Sequence, residues 1–66
     1  MDSQQIHHAM KMRLPVVYEG IRYERIIEYV SFYDNKGMRR LSVVLLDRNE
    51  NSTIRVPADK VELAEK

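Results

Sequence analysis

The stretch LSVVLLDRNENSTIRVPADKVEL, residues 41 to 63, limits what this chain can fold into more than any other. Leu41 to Leu46 is an apolar, β-branched run with neither glycine nor proline, which predicts a strand. Asp47 to Asn51 is a polar turn cluster, and Ser52 to Val56 is again strand-like. Pro57 stops that strand because it has no N–H to give to a ladder. Ala58 to Lys60 then makes a tight turn into Val61 to Leu63. Two strands, a polar turn, a proline-initiated turn and a last short strand form the closing half of a small β-barrel.

The whole chain has 66 residues and no cysteine. A domain of that size buries only about 60% of the surface its unfolded chain exposes. Neither a disulfide framework nor a thiolate zinc site can compensate, so a second copy or another partner is the available source of extra burial. Eleven Lys and Arg stand against ten Asp and Glu, a formal net charge of +1. That balance excludes a histone-like neutraliser of phosphate. No basic segment leads into an apolar h-region at the N-terminus, and no apolar run approaches the roughly 20 residues that cross a bilayer. The expectation is a cytoplasmic protein without membrane association.

Asp2 or Ser3 can cap a short helix in which Ile6, Ala9, Met10 and Arg13-Leu14 recur at spacings of three and four, until Pro15 ends the pattern. Residues 1–12 are thus read as an N-terminal helix or flexible arm, and 13–66 as one domain. Leu14 to Tyr18 predicts a first strand, with Glu19-Gly20 as a tight reversal. Ile21 to Asp34 supports two readings. Tyr23, Ile26, Ile27 and Val30 stand at helical spacing, yet the segment lacks alanine and leucine and is rich in Ile, Tyr, Val and Phe. A long, bent strand is favoured, closed by a four-residue hairpin loop, Asp34-Asn35-Lys36-Gly37, with glycine at the left-handed position.

This order resembles the SH3-like small barrels. The most specific piece is Ile54-Arg55-Val56-Pro57-Ala58-Asp59-Lys60-Val61-Glu62-Leu63, which is similar to that superfamily's last strand pair with its intervening 3₁₀ turn. The resemblance covers residues 14 to 64 and implies an all-β fold, a five-stranded SH3-like small barrel with a short N-terminal helix or arm. The chain has no tryptophan and no room for a long acidic loop after its first strand, so polyproline binding is not implied. The likeness is to bacterial and archaeal barrels that serve as nucleic-acid binders, protein adaptors or oligomer-forming units.

The chemistry-bearing residues point to binding and not to catalysis. His7-His8 are adjacent on a helix, their side chains about 100° apart, and no cysteine completes a metal site. Ser31, Ser42 and Ser52 lack a nucleophile-elbow context. Glu24 and Glu28 alternate with Arg22 and Arg25, a pattern suited to ion pairing on a surface. The expectation is no enzyme, no metal and no cofactor.

A four-residue loop sets the register of the hairpin. Tyr33 would oppose Met38, Ser31 Arg40, Tyr29 Ser42 and Ile27 Val44 on one face; Phe32 would oppose Arg39, Val30 Leu41 and Ile26 Leu45 on the other. The second set is the more aliphatic and is assigned to the interior. Ile27, Val44 and Leu46 then form an apolar base on the outer face, to be covered by the N-terminal helix or a partner subunit. Tyr29, Tyr33, Met38, Arg39 and Arg40 are the candidate partner-binding residues of a small interaction module or homo-oligomer. The alternative is a nucleic-acid accessory factor using Arg22, Lys36, Arg39 and Arg40.

Overall fold

The computed structural model describes residues 1–64, so the last two residues of the expected 13–66 domain lie outside the described residues. Helix α1 spans Ser3–Met12. Its start is a capping box. The Asp2 carboxylate accepts from the Gln5 N–H at 2.8 Å, and the Gln5 side-chain oxygen accepts from the Asp2 N–H at 3.1 Å, so two otherwise orphaned donors are satisfied. Arg13 ends the helix in the left-handed conformation (φ 55°), and the Leu14 N–H closes the last turn on the Ala9 carbonyl at 2.9 Å. Pro15 follows and cannot continue it.

Six strands follow: β1 Val16–Tyr18, β2 Ile21–Tyr23, β3 Arg25–Tyr33, β4 Arg39–Leu46, β5 Thr53–Pro57 and β6 Val61–Leu63, with a 3₁₀ turn at Ala58–Lys60 before β6. Glu19 and Gly20 both have positive φ, 50° and 77°, the two-residue reversal that matches strand twist between β1 and β2. The strands form two antiparallel three-stranded sheets, ordered β2-β1-β6 and β3-β4-β5.

This architecture corrects the expected five-stranded barrel: the protein is a small mixed α/β fold with no closed barrel. Closure fails at two identifiable places. The expected long strand over 21 to 33 breaks at Glu24, and its two parts join different sheets. Glu24 spends its N–H on the Leu46 carbonyl at 2.8 Å. At the other end the 3₁₀ turn redirects the chain, so β6 pairs with β1 and not with β5. A barrel needs every edge paired. Here β2, β6, β3 and β5 are all edges.

The core lies between the sheets and the helix. Val16 and Val61 from the first sheet, Ile26, Val43, Leu45 and Val56 from the second, Ala58 from the turn, and Ile6 and Ala9 from α1 make one buried cluster. Helix α1 is therefore a wall of the main core, which corrects its expected place over Ile27, Val44 and Leu46. The reason is its narrow apolar stripe, since only Ile6 and Ala9 are buried, and one small stripe covers one surface. No helix among the described residues is long and apolar enough to cross a membrane.

Ile6 is fully buried at the centre of that contact. Ile6→Ala should destabilise by about 2–5 kcal/mol, the range for deleting a buried branched side chain. Urea unfolding followed by circular dichroism measures it, and an unchanged midpoint would show that α1 is not part of the cooperative core.

Candidate functional site

The hairpin joining β3 to β4 is organised by one carboxylate. Asp34 Oδ1 accepts from the backbone N–H of Lys36 and of Met38, both at 2.9 Å, while Oδ2 accepts from Arg40 Nε at 2.9 Å. Backbone bonds from Asp34 N–H to the Met38 carbonyl and from Gly37 N–H to the Asp34 carbonyl, each 3.0 Å, complete the loop. The Arg40 guanidinium, and then the Met38 N–H, hold the Asp34 carboxyl below its ordinary value. Asp47 repeats the device in the next turn. It accepts from the Asn51 N–H and the Ser52 hydroxyl, both at 2.9 Å, and these lower its pKa in that order.

The bonds between Asp34 and Met38 close a loop one residue longer than expected, so Tyr33 opposes Arg39 and not Met38. From there to Glu28 every pair is displaced by one: Phe32 opposes Arg40, Ser31 Leu41, Val30 Ser42, Tyr29 Val43 and Glu28 Val44. A bulge between Ile26 and Glu28 then absorbs the difference, and Ile26 opposes Leu45. Since side chains alternate, the one-residue slip moves Tyr29, Ser31 and Tyr33 to the face of Arg39, and Val30 and Phe32 to that of Arg40.

The candidate patch is consequently divided. Arg39 shares a face with Tyr33, and its Nε donates to the Ser31 hydroxyl at 3.0 Å. Tyr29 is on that face too, but it packs against the core and meets the His7 ring edge-on, centroids 5.1 Å apart. Tyr33 is 72% exposed and Met38, in the loop, 60%. Arg40 lies on the opposite face beside Phe32, neutralised by Asp34. For the nucleic-acid set, Lys36 is in the loop, whereas Arg22 sits on β2, opposite Val17 in the other sheet. Arg22 is thus not gathered with Lys36, Arg39 and Arg40 on one sheet.

The slip also reassigns the interior. Val30 and Phe32, expected inside, lie with Val44 and Leu46 on the face turned away from the core, and none of the four joins the buried cluster or the residues packed against it. Across the three strands this face has a simple row order. Glu28, Val44 and Arg55 make one row, and Val30, Ser42 and Pro57 the next. Arg55 extends diagonally, its guanidinium carbon 5.0 Å from the Phe32 ring centre. Ser42, the residue between them, is only 8% exposed.

At the upper end of this face β5 stops at Pro57, opposite Ser42, and residues 39–41 of β4, paired with β3 on one side, run on without a strand on the other. A groove of about 540 Å³ opens there, lined by Phe32, Arg40, Ser42, Pro57, Asp59 and Met1 among others. The Met1 ammonium donates to the Ala58 carbonyl at its rim, 3.0 Å away. Among the described residues no three His, Asp or Glu side chains converge as a metal site would require. What the surface offers is apolar area, a short free strand edge and separated charges. Sequence reasoning missed Asp34, Phe32 and Arg55; the legible signal was an Asp positioned to bond its own backbone two and four residues on.

Two expectations test the hairpin. Gly37 has φ 78°, and a side chain placed there would meet open space, so the cost of Gly37→Val is a backbone cost, about 1–2 kcal/mol, read from the denaturation midpoint. Asp34 has a folded pKa below 3.8, so the stability it supplies is complete above that value and is lost as pH falls through the lowered one. Protection of the Met38 amide from hydrogen exchange should fall in that acid window in the wild type, and the step should vanish in Asp34→Asn.

Comparison with protein-family models, with curated proteins and with solved structures found no match to this chain.

Proposed function

We propose that this chain is a non-enzymatic interaction module that docks a protein on the outer face of sheet β3-β4-β5, next to the groove at the free end of β4. The observation that carries the reading is the apolar line Val30, Phe32, Val44 and Leu46. These residues share a face, pack on no core residue, and have α1 engaged elsewhere. Large side chains collected on one face, with charges at its margins, are the composition of a docking surface. The adjoining groove adds Arg39 to Leu41 as a short strand edge of the type extended segments pair with.

Nucleic acid is the weaker reading. Arg40 is already paired with Asp34, Arg39 is bonded to Ser31, and Arg22 lies in the other sheet. A phosphate-binding surface gathers its cations.

Immobilised wild type should retain protein that Val44→Arg does not, while Lys60→Ala, a change at an exposed position in the 3₁₀ turn, leaves retention unaltered. Titration with short DNA and RNA at low and high salt is the companion measurement. Equal retention by all three baits overturns the reading. Tight, steeply salt-dependent binding of nucleic acid that survives Val44→Arg replaces it with the alternative.

A further inference from the structure

We infer that the occupant of this outer face is a second copy of the chain, related by a two-fold axis that runs parallel to β4 and passes over Val44. The inference rests on the docking face proposed above and names its partner. Its ground is charge placement. In the row Glu28–Val44–Arg55 an acidic residue stands one strand to one side of Val44 and a basic residue one strand to the other. Each is offset by about 4.8 Å, the spacing between strands. Both are exposed, and among the described residues neither has an ion-pair partner; the Arg55 guanidinium lies over the Phe32 ring.

An isologous interface demands that if one residue meets another, the reverse contact also occurs. A two-fold axis parallel to β4 exchanges the left and right margins of the sheet and keeps height along the strands. It therefore sets Glu28 of each copy over Arg55 of the other, with Val44 against Val44 between them. A two-fold axis across the strands would set Glu28 on Glu28 and Arg55 on Arg55, and like charges brought together oppose association. The unpaired charges of this row thus select one of the two ways in which the face can meet itself; Arg40, which the same axis brings near its own copy, is already paired with Asp34. Aligned sheets packed about 10 Å apart are an ordinary arrangement for such faces. The remaining apolar residues, Val30, Phe32 and Leu46, fall within the same contact.

Analytical ultracentrifugation of the purified chain over a concentration series tests this. The wild type should form dimers. Glu28→Arg and Arg55→Glu should each weaken the dimer tenfold or more, since each places like charges opposite twice. An equimolar mixture of the two variants should recover a dimer, and so should the double variant Glu28→Arg/Arg55→Glu. Val44→Arg should abolish dimerisation in every background. The folded state of each variant is checked by circular dichroism, and the double variant carries the test if one of the single variants is too unstable to use.

A wild type that stays monomeric up to its solubility limit overturns the inference. So does a dimer that both single reversals leave unchanged, or one lost in the singles and not recovered by mixing. If the wild type is monomeric yet Val44→Arg still loses a retained protein, only the second copy is refuted and the docking face stands. If a dimer forms that Val44→Arg leaves intact, and protein retention is equally indifferent to it, both fail.

Discussion

The Asp34 carboxylate sets the register on which the rest of the second sheet depends. Two backbone N–H groups and one guanidinium converge on its two oxygens, and this fixes the distance along the chain at which β4 starts to pair with β3. Each residue of slip turns a strand over, so a local loop choice decides which residues become core and which become surface. Tyr29 turns inward beside Val43, and Val30 and Phe32 turn outward to the face of Val44, as a consequence of bonds made at the tip of the hairpin. The bulge near Ile27 is the complementary element. It keeps Ile26 opposite Leu45 although the pairing above it runs one residue out of step.

Strand positions are legible in the sequence because their signals are local. The β-branched runs, Glu19-Gly20, the Asp47 turn and Pro57 each act within a few residues, and the strands fall between them. The capping box at Asp2 and the stop at Pro15 likewise frame α1. How the strands associate is less legible. The SH3-like resemblance rests on strand order, and order does not say which edges meet. The break at Glu24 is made by a backbone bond to Leu46, twenty-two positions away, and a composition of Ile, Tyr and Val is indifferent to it. The hairpin register departs from expectation for a simpler reason. Glycine marks the left-handed position correctly, but the Asp34 side chain closes a loop that includes Met38. That single residue divides the Tyr29, Tyr33 and Arg40 patch between two faces. Tyr29 is then taken up by the core and by His7.

The economy of the core follows from chain length. Nine apolar residues drawn from the helix, both sheets and the 3₁₀ turn form a single cluster, so no element has a private interior. A fold built this way has little capacity to shelter a second apolar surface, and the line through Val44 is left on the outside. The same scarcity explains the value of the polar turns. Asp34 and Asp47 stabilise hairpins through short charge-assisted bonds at the surface, where a larger protein would rely on packing.

The bulge in β3 has a second effect, at the margin of the sheet. β3 is an edge strand of nine residues, long enough to template the addition of foreign strands and the growth of fibrils. The extra residue at Ile27 interrupts the even spacing of amide groups along that edge and leaves a side chain 40% exposed at the kink. Glu28 follows it at once with a charge that a pairing strand would have to accommodate. A straight, fully alternating β3 would present an unbroken row of donors and acceptors to any neighbour. The irregularity that reconciles two registers inside the hairpin thus also guards a small, β-rich chain against open-ended aggregation.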